Sequence, residues 1–143
     1  MLIGSHNHNV DDKGRLFLPA KFRSELGNEI ILSKGIDNCI YAFSIEAWEE
    51  FAKKLSALPM TNKLAQLFMR KLYASAVERE ADKQGRVLLT PELKKYAKIE
   101  KETTIIGMNN RVEIWSKSGF EEYESTNIEE YEQAIESLSE LGI

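Results

Sequence analysis

Asp11-Asp12-Lys13-Gly14-Arg15-Leu16-Phe17-Leu18 returns later in the chain as Asp82-Lys83-Gln84-Gly85-Arg86-Val87-Leu88-Leu89. The echo extends outward on both sides. A proline follows each copy, Pro19 and Pro91, and then a short stretch of helical character, Ala20 to Leu26 and Glu92 to Ala97. Ile30-Ile31-Leu32 and Ile40-Tyr41-Ala42-Phe43 have counterparts in Thr104-Ile105-Ile106 and Val112-Glu113-Ile114-Trp115. Ser44, Trp48, Glu49, Glu50 and Phe51 reappear at nearly the same offset as Ser116, Phe120, Glu121, Glu122 and Tyr123. So many positions agreeing in chain order mark two tandem repeats.

Each repeat reads as strand, tight turn, strand, short helix, strand, turn, strand. In the Asp-x-x-Gly-Arg turns, Asp can bond the turn backbone and Gly can take positive φ. Pro19 and Pro91 suit the first helical position, where a missing N–H costs nothing. Gly35-Ile36-Asp37-Asn38 and Asn109-Asn110 supply the second turns. A unit this short barely buries a core of its own, so two copies with interleaved strands are expected. Between them, Ser44 reads as the N-cap of a helix carrying Ile45, Trp48, Phe51, Ala52 and Leu55. After Leu58-Pro59-Met60, Thr61 is expected to cap a second helix with Leu64, Leu67, Phe68 and Leu72 on one face and Lys63, Arg70 and Lys71 elsewhere. Such faces serve core packing or a subunit interface. Ile128, Tyr131, Ile135 and Leu138 predict a short amphipathic helix that docks on the body or on a neighbour.

The chain has 143 residues, a length suited to one compact unit or two very small ones. Its apolar runs fall far short of the roughly 20 residues that span a bilayer, so no membrane association is expected. The start, Met1 to His6, lacks a basic then apolar leader, and a cytoplasmic location is the expectation. Cys39 is the sole cysteine, which excludes an internal disulfide and a cysteine-rich zinc site. The net charge of −4 hides an uneven distribution. From Ser118 onward there are eight glutamates and no lysine or arginine, whereas Lys53 to Lys101 holds twelve basic and five acidic residues. A basic body with an acidic tail is compatible with an anionic partner, because binding follows the local field.

The paired Asp-x-x-x-Arg segments at Asp11/Arg15 and Asp82/Arg86, the run Gly14 to Arg23, and Arg111 with Trp115 four places on resemble the MraZ family. These are bacterial transcriptional regulators built from two SpoVT-AbrB-like repeats. The resemblance covers essentially the whole chain, with the acidic tail least diagnostic. It implies an α+β fold in which tandem pseudo-symmetric repeats form a double swapped-hairpin β-barrel with flanking helices. The repeats would occupy residues 5–47 and 76–119, with a helical insertion at 48–75 and an acidic C-terminal helix at 120–143. It further implies a homo-oligomeric ring such as an octamer, nucleoid association, and binding to tandem boxes of double-stranded DNA upstream of the division and cell-wall gene cluster. Carried over to this chain, the DNA-binding residues are Arg15 and Arg86, with Lys13, Lys21, Arg23 and Lys83 nearby. Asp11, Asp82, Gly14 and Gly85 would support the turns. Gln84 stands where Lys13 does and Glu92 where Lys21 does, so the second copy reads as the less basic, and its contact as weaker than or about equal to that of the first.

The chemistry is sensible apart from the resemblance. A hairpin is narrow enough for the major groove, where Arg binds guanine O6 and N7 bidentately. Lys13, Lys21 and Arg23 would add salt-dependent phosphate contacts without sequence preference. The plainer alternative is that Asp11–Arg15 is a turn-stabilising surface ion pair. An enzyme is the rival from another class. His6 and His8 would share a strand face, but two ligands do not make a metal site. Cys39 aligns with Arg111 in a strand and reads as a buried thiol. No phosphate loop or nucleophile elbow is present, so no catalytic residue, metal or cofactor is expected. A second rival is an antitoxin-like protein-interaction module that does not read DNA.

Overall fold

The computed structural model describes Met1–Ile143. In chain order the first repeat supplies β1 (Ser5–Asn9), β2 (Arg15–Phe17), α1 (Ala20–Leu26), β3 (Glu29–Lys34) and β4 (Ile40–Ser44). Helices α2 (Ile45–Ser56) and α3 (Lys63–Ser75) follow. The second repeat supplies β5 (Val77–Glu80), β6 (Arg86–Leu88), α4 (Pro91–Tyr96), β7 (Glu102–Gly107) and β8 (Val112–Ser116), and α5 (Lys117–Thr126) and α6 (Ile128–Glu140) end the chain. The class is α+β with antiparallel sheets.

Six strands form one sheet in the order β1-β7-β8-β4-β3-β5, and β2 pairs with β6 in a separate ribbon. The strands interleave: β1 of the first repeat pairs with β7 of the second, and β5 of the second pairs with β3 of the first. The expected closed barrel is not formed. β1 and β5 are the two sheet edges, and only the single bridge Val10↔Leu16 ties β1 to the ribbon. The reason is local. Beyond that bridge the chain curls into the Asp11 turn, and the short strands β2 and β6 pair with one another.

Alternation along the strands sorts the core into two layers. Ile30, Leu32, Ile40, Ala42, Val112 and Ile114 face inward to Leu16, Leu18, Phe22, Val87, Leu89 and Leu93. On the other face Ile31, Tyr41, Phe43 and Trp115 meet α2 and α5 through Trp48, Phe51 and Phe120. The ribbon thus lies over one face of the sheet with Leu16 and Val87 fully buried, and the long helices cover the other.

Several local readings shift. Pro91 takes the first position of α4, but Pro19 stands one place earlier, as the N-cap of α1. Ser44 caps α2, its hydroxyl accepting from the Ala47 N–H at 3.1 Å, while α3 is capped by Asn62 rather than Thr61. The apolar residues of α3 spread over a broad arc, and only one edge of it meets the body. Leu72 is buried and Phe68 packs on Phe51, whereas Leu64 and Leu67 at the other edge point to solvent. A rotation of about 100° per residue puts Lys71 between Leu64 and Leu67. Cys39 lies in the turn before β4, fully buried, and its thiol donates to the Ile36 carbonyl at 3.1 Å.

Candidate nucleic-acid interface

In the β2–β6 ribbon Arg15 lies opposite Leu88, Leu16 opposite Val87 and Phe17 opposite Arg86. Since Leu16 and Val87 point into the core, the same alternation turns Arg15 and Arg86 outward. The two turns are built alike. Gly14 has φ 83° and Gly85 φ 81°, the left-handed region that a side chain resists. Gly14 N–H donates to the Asp11 carbonyl at 3.0 Å and Gly85 N–H to the Asp82 carbonyl at 2.9 Å. Each glycine carbonyl is held by the other repeat: Leu89 N–H donates to Gly14 at 2.9 Å, and Leu18 N–H to Gly85 at 3.0 Å. The exchange of strands thus fastens both turns side by side.

Each aspartate closes its turn and aims its arginine. One oxygen of Asp11 accepts the backbone N–H groups of Lys13 and Arg15 at 2.9 Å, and the other accepts Arg15 Nε at 2.7 Å. Asp82 repeats this with Gln84 N–H at 3.0 Å, Arg86 N–H at 2.9 Å and Arg86 Nε at 2.9 Å. Both carboxyls sit below the usual aspartate range, first because of the backbone N–H donated by the arginine. Partial desolvation opposes this, and the guanidinium adds to it. The pairing leaves Arg15 Nη1 and Nη2 without a protein partner, so the open end of the guanidinium faces out with its orientation fixed. Arg86 Nη1 lies 3.6 Å from Asp11 Oδ2, so Asp11 touches both arginines while Asp82 touches one.

The remaining basic residues fall less evenly. Lys13, Lys21 and Lys83 are exposed. Arg23 is carried away from its own turn to the other one. Its Nε donates to the Leu18 carbonyl at 2.9 Å, and the guanidinium packs over Phe17 and against Gly85, where an added Cβ would come within 2.7 Å of it. Lys94, the counterpart of Arg23 in the second repeat, likewise lies beside the opposite turn, its stem 4.0 Å from a Cβ placed on Gly14. An open groove of about 670 Å³ beside the first turn is lined by Asp12, Lys13, Arg79, Lys94 and Lys95. The smaller groove beside the second turn, about 350 Å³, offers Arg23 against Glu80 and Asp82. Lys94, Lys95 and Arg79 are additions to the expected site residues. The repeat offset aligns Lys94 with Arg23, but nothing in it shows that each helix serves the opposite turn.

Other residues singled out in the sequence lie elsewhere. His6 and His8 sit on edge strand β1 and pack edge-on against Phe22 and Phe17. Burial pushes the Cys39 thiol up, with the Glu113 charge adding to it, the reverse of an activated thiolate. Arg111 and Trp115 meet under α5. Both bond the buried Glu113 carboxylate, at 2.8 and 3.1 Å, and Arg111 covers the Tyr41 ring. No three His, Cys, Asp or Glu side chains converge on a metal-sized point, and no helix is long and apolar enough to cross a membrane.

Fold and site together define a class: a tandem-repeat α+β protein whose exchanged strands hold two aspartate-braced arginine turns next to one another. Comparison with known proteins narrows it. A family model described as "MraZ protein, putative antitoxin-like" matches twice, at residues 1–71 and 72–139. The chain is 48% identical over its full length to all of a Thermoanaerobacter pseudethanolicus protein, and 50% identical to all of one from Clostridium tetani. It is 46% identical over 143 residues to a Pelotomaculum thermopropionicum protein, covering 99% of it. Each of the three is named "Transcriptional regulator MraZ". The chain belongs to the MraZ family.

Proposed function

We propose that this chain is a sequence-specific DNA-binding transcriptional regulator that reads tandem boxes upstream of the division and cell-wall gene cluster, as a homo-oligomeric ring. Arg15 and Arg86 are the readers and Lys13, Lys21, Lys83 and Arg23 the flanking cations. Asp11 and Asp82 aim the readers, and Gly14 and Gly85 let the turns form. The reading places the protein in the cytoplasm at the nucleoid, with no catalytic step and no cofactor. The strand exchange fits a swapped-hairpin arrangement, with the repeats at 5–47 and 76–119, an insertion at 48–75 and an acidic tail at 120–143. The names of the relatives support regulation of transcription. The observation that carries the DNA reading is the outward pair of guanidiniums, each fixed at Nε by its own aspartate. A fixed guanidinium suits bidentate bonding to guanine and loses little freedom on binding.

A single pair of turns touches few bases, so specificity has to come from several subunits engaging successive boxes, which converts later contacts into intramolecular ones. Boxes must then lie on one face of the duplex, near one helical turn of about 10–10.5 bp apart. Gel-shift titration should give tight binding to tandem boxes, weak binding to one box, and a sharp loss when about half a turn is inserted between them. Equal affinity for one box and for several would refute multivalent reading. Absence of any duplex binding at low salt would leave the protein-interaction module standing instead.

A further inference from the structure

Leu88 is the one large apolar side chain exposed in the β2–β6 ribbon and its two turns, at 45%. Elsewhere exposed apolar residues form rows on helices, as Ile128, Tyr131, Ile135 and Leu138 do on α6, which runs into solvent instead of docking on its own body. Leu88 instead stands alone among cations. Alternation puts it on the outward face of β6 with Arg86, since Val87 between them and Leu89 after it are buried. Across the ribbon it lies directly opposite Arg15. Its Cδ1 reaches the first turn, 3.7 Å from a Cβ placed on Gly14, and its carbonyl accepts Arg79 Nε at 3.0 Å. It lines the groove beside that turn together with Lys13, Arg79 and Lys94.

Its counterpart in the first repeat is treated differently. Phe17 takes the same place opposite Arg86, but its ring is covered. The Arg23 guanidinium lies over it at 5.4 Å and His8 packs edge-on at 4.9 Å. Leu88 has no such cover. An apolar side chain left bare beside a fixed guanidinium matches a surface that is mostly polar and carries one apolar group. The major-groove floor is such a surface: it presents acceptors and amino groups, and its one apolar substituent is the 5-methyl group of thymine. A protein partner would call for a contiguous apolar patch, and the neighbours of Leu88 are charged.

We propose that Leu88 is a specificity-determining residue that packs on the 5-methyl group of a thymine beside the guanine bonded by Arg15. Cross-strand side chains start about 4.5–5.5 Å apart and bases follow one another at about 3.4 Å along a strand, so the two side chains address neighbouring bases. With Phe17 covered, the other half of the ribbon has no equivalent contact, and each box is read with the methyl on one side only. The inference rests on the DNA reading proposed above and adds the base class at one position. The contact forms once Arg15 has seated the ribbon in the groove, so it adds to the arginine contacts and does not replace them.

The test takes the methyl away without touching a hydrogen bond. Gel-shift titrations compare the full chain and its Leu88→Ala variant on three duplexes of equal length: the protein's own upstream tandem boxes, the same boxes with every thymine replaced by uracil, and a scrambled duplex. Burial of one methyl group corresponds to about fourfold in affinity, so the unaltered chain should bind the uracil boxes about fourfold more weakly per engaged box. Leu88→Ala should bind the thymine boxes more weakly by a similar factor, make no distinction between thymine and uracil, and keep its affinity for the scrambled duplex. Leu88→Met, which keeps an apolar tip, should restore most of the thymine preference. Leu88 is exposed, and thermal melts check that both variants fold as the parent does. An unaltered chain that prefers its boxes to the scrambled duplex yet ignores the uracil exchange overturns the inference and leaves the DNA reading intact. So does a Leu88→Ala chain that still prefers thymine to uracil. An unaltered chain that binds boxes and scrambled duplex alike removes the DNA reading, and this inference with it.

Discussion

The turn-bearing ends of the two repeats match bond for bond, while their helical ends do not. Asp11–Arg15 and Asp82–Arg86 use the same three hydrogen bonds, and both turns pass through a glycine of positive φ held by the other repeat. At the far end α3 folds back onto α2 whereas α6 extends past α5. The contrast teaches where duplication is constrained. A surface used twice in the same way has to keep its geometry in both copies, whereas helices outside that surface are free to diverge. The layer around the turns shows a smaller asymmetry. The groove beside the first turn is mostly cationic, that beside the second is mixed, and all their basic residues but Lys13 come from the opposite repeat.

Of the two outcomes expected for the second turn, a weaker contact or an equal one, this crossing favours the equal one. Arg15→Ala and Arg86→Ala should each cost about 1–3 kcal/mol of specific binding per engaged turn, the worth of a bidentate base contact. The losses should be similar, measured as the affinity for the upstream boxes. Asp11→Asn should weaken binding more than Asp82→Asn, because Asp11 lies against both arginines. Equal effects of the two aspartate variants would break the comparison.

Next in size is stability. Forcing a Cβ into the left-handed region costs about 1–2 kcal/mol, so both glycine-to-alanine variants should lower the melting temperature. Gly85→Ala should lower it further, because its Cβ meets the Arg23 guanidinium at 2.7 Å and displaces the bond to Leu18, while the nearest atom to a Cβ on Gly14 is 3.4 Å away. Thermal melts of the two variants side by side decide this.

How much of this is legible in the sequence depends on range. The echo of Asp11–Leu18 in Asp82–Leu89 reveals the repeats, the turns and most strands, since these follow from local turn chemistry and alternation. The open barrel is not legible, because whether β1 reaches β5 depends on how few backbone groups remain after the turn. The placement of Arg23 over Gly85 is not legible either, since it follows from pairing β2 with β6 across the two repeats. On α3, spacing alone groups Leu64, Leu67, Phe68 and Leu72 on one broad face. Which edge of that face meets the body is a tertiary matter, and it leaves Leu64 and Leu67 outside. Local pattern suffices to single out Arg15 and Arg86 as outward-facing turn residues. Assigning the flanking cations repeat by repeat overlooks Lys94, Lys95 and Arg79, which the strand exchange brings to the first turn.

A smaller effect sharpens the groove contrast. Lys94→Ala and Lys95→Ala should weaken binding to every duplex alike and each reduce the salt slope by about one, as loss of a phosphate contact does. Affinity measured across a salt series checks this, and a change confined to the specific site would contradict it. The smallest effect is in acid. Asp11 and Asp82 have lowered folded values, so the stability they lend is present above the ordinary carboxylate value and is lost as pH falls through the lowered one. Acid unfolding followed by circular dichroism should be shallower below about pH 4 in a chain carrying Asp11→Asn and Asp82→Asn.

In the proposed function the paired arginine turns carry sequence discrimination while the lysines supply general affinity. The direct measurement is the ratio of affinities for the protein's own upstream tandem boxes and for a scrambled duplex of equal length, taken at one salt concentration with the unaltered chain and with the Arg15→Ala, Arg86→Ala double variant. The double variant should bring the ratio down to near one while the scrambled duplex still binds within a few-fold of the parent, with the salt dependence largely kept. A ratio that survives the loss of both arginines would place the reader elsewhere on the molecule.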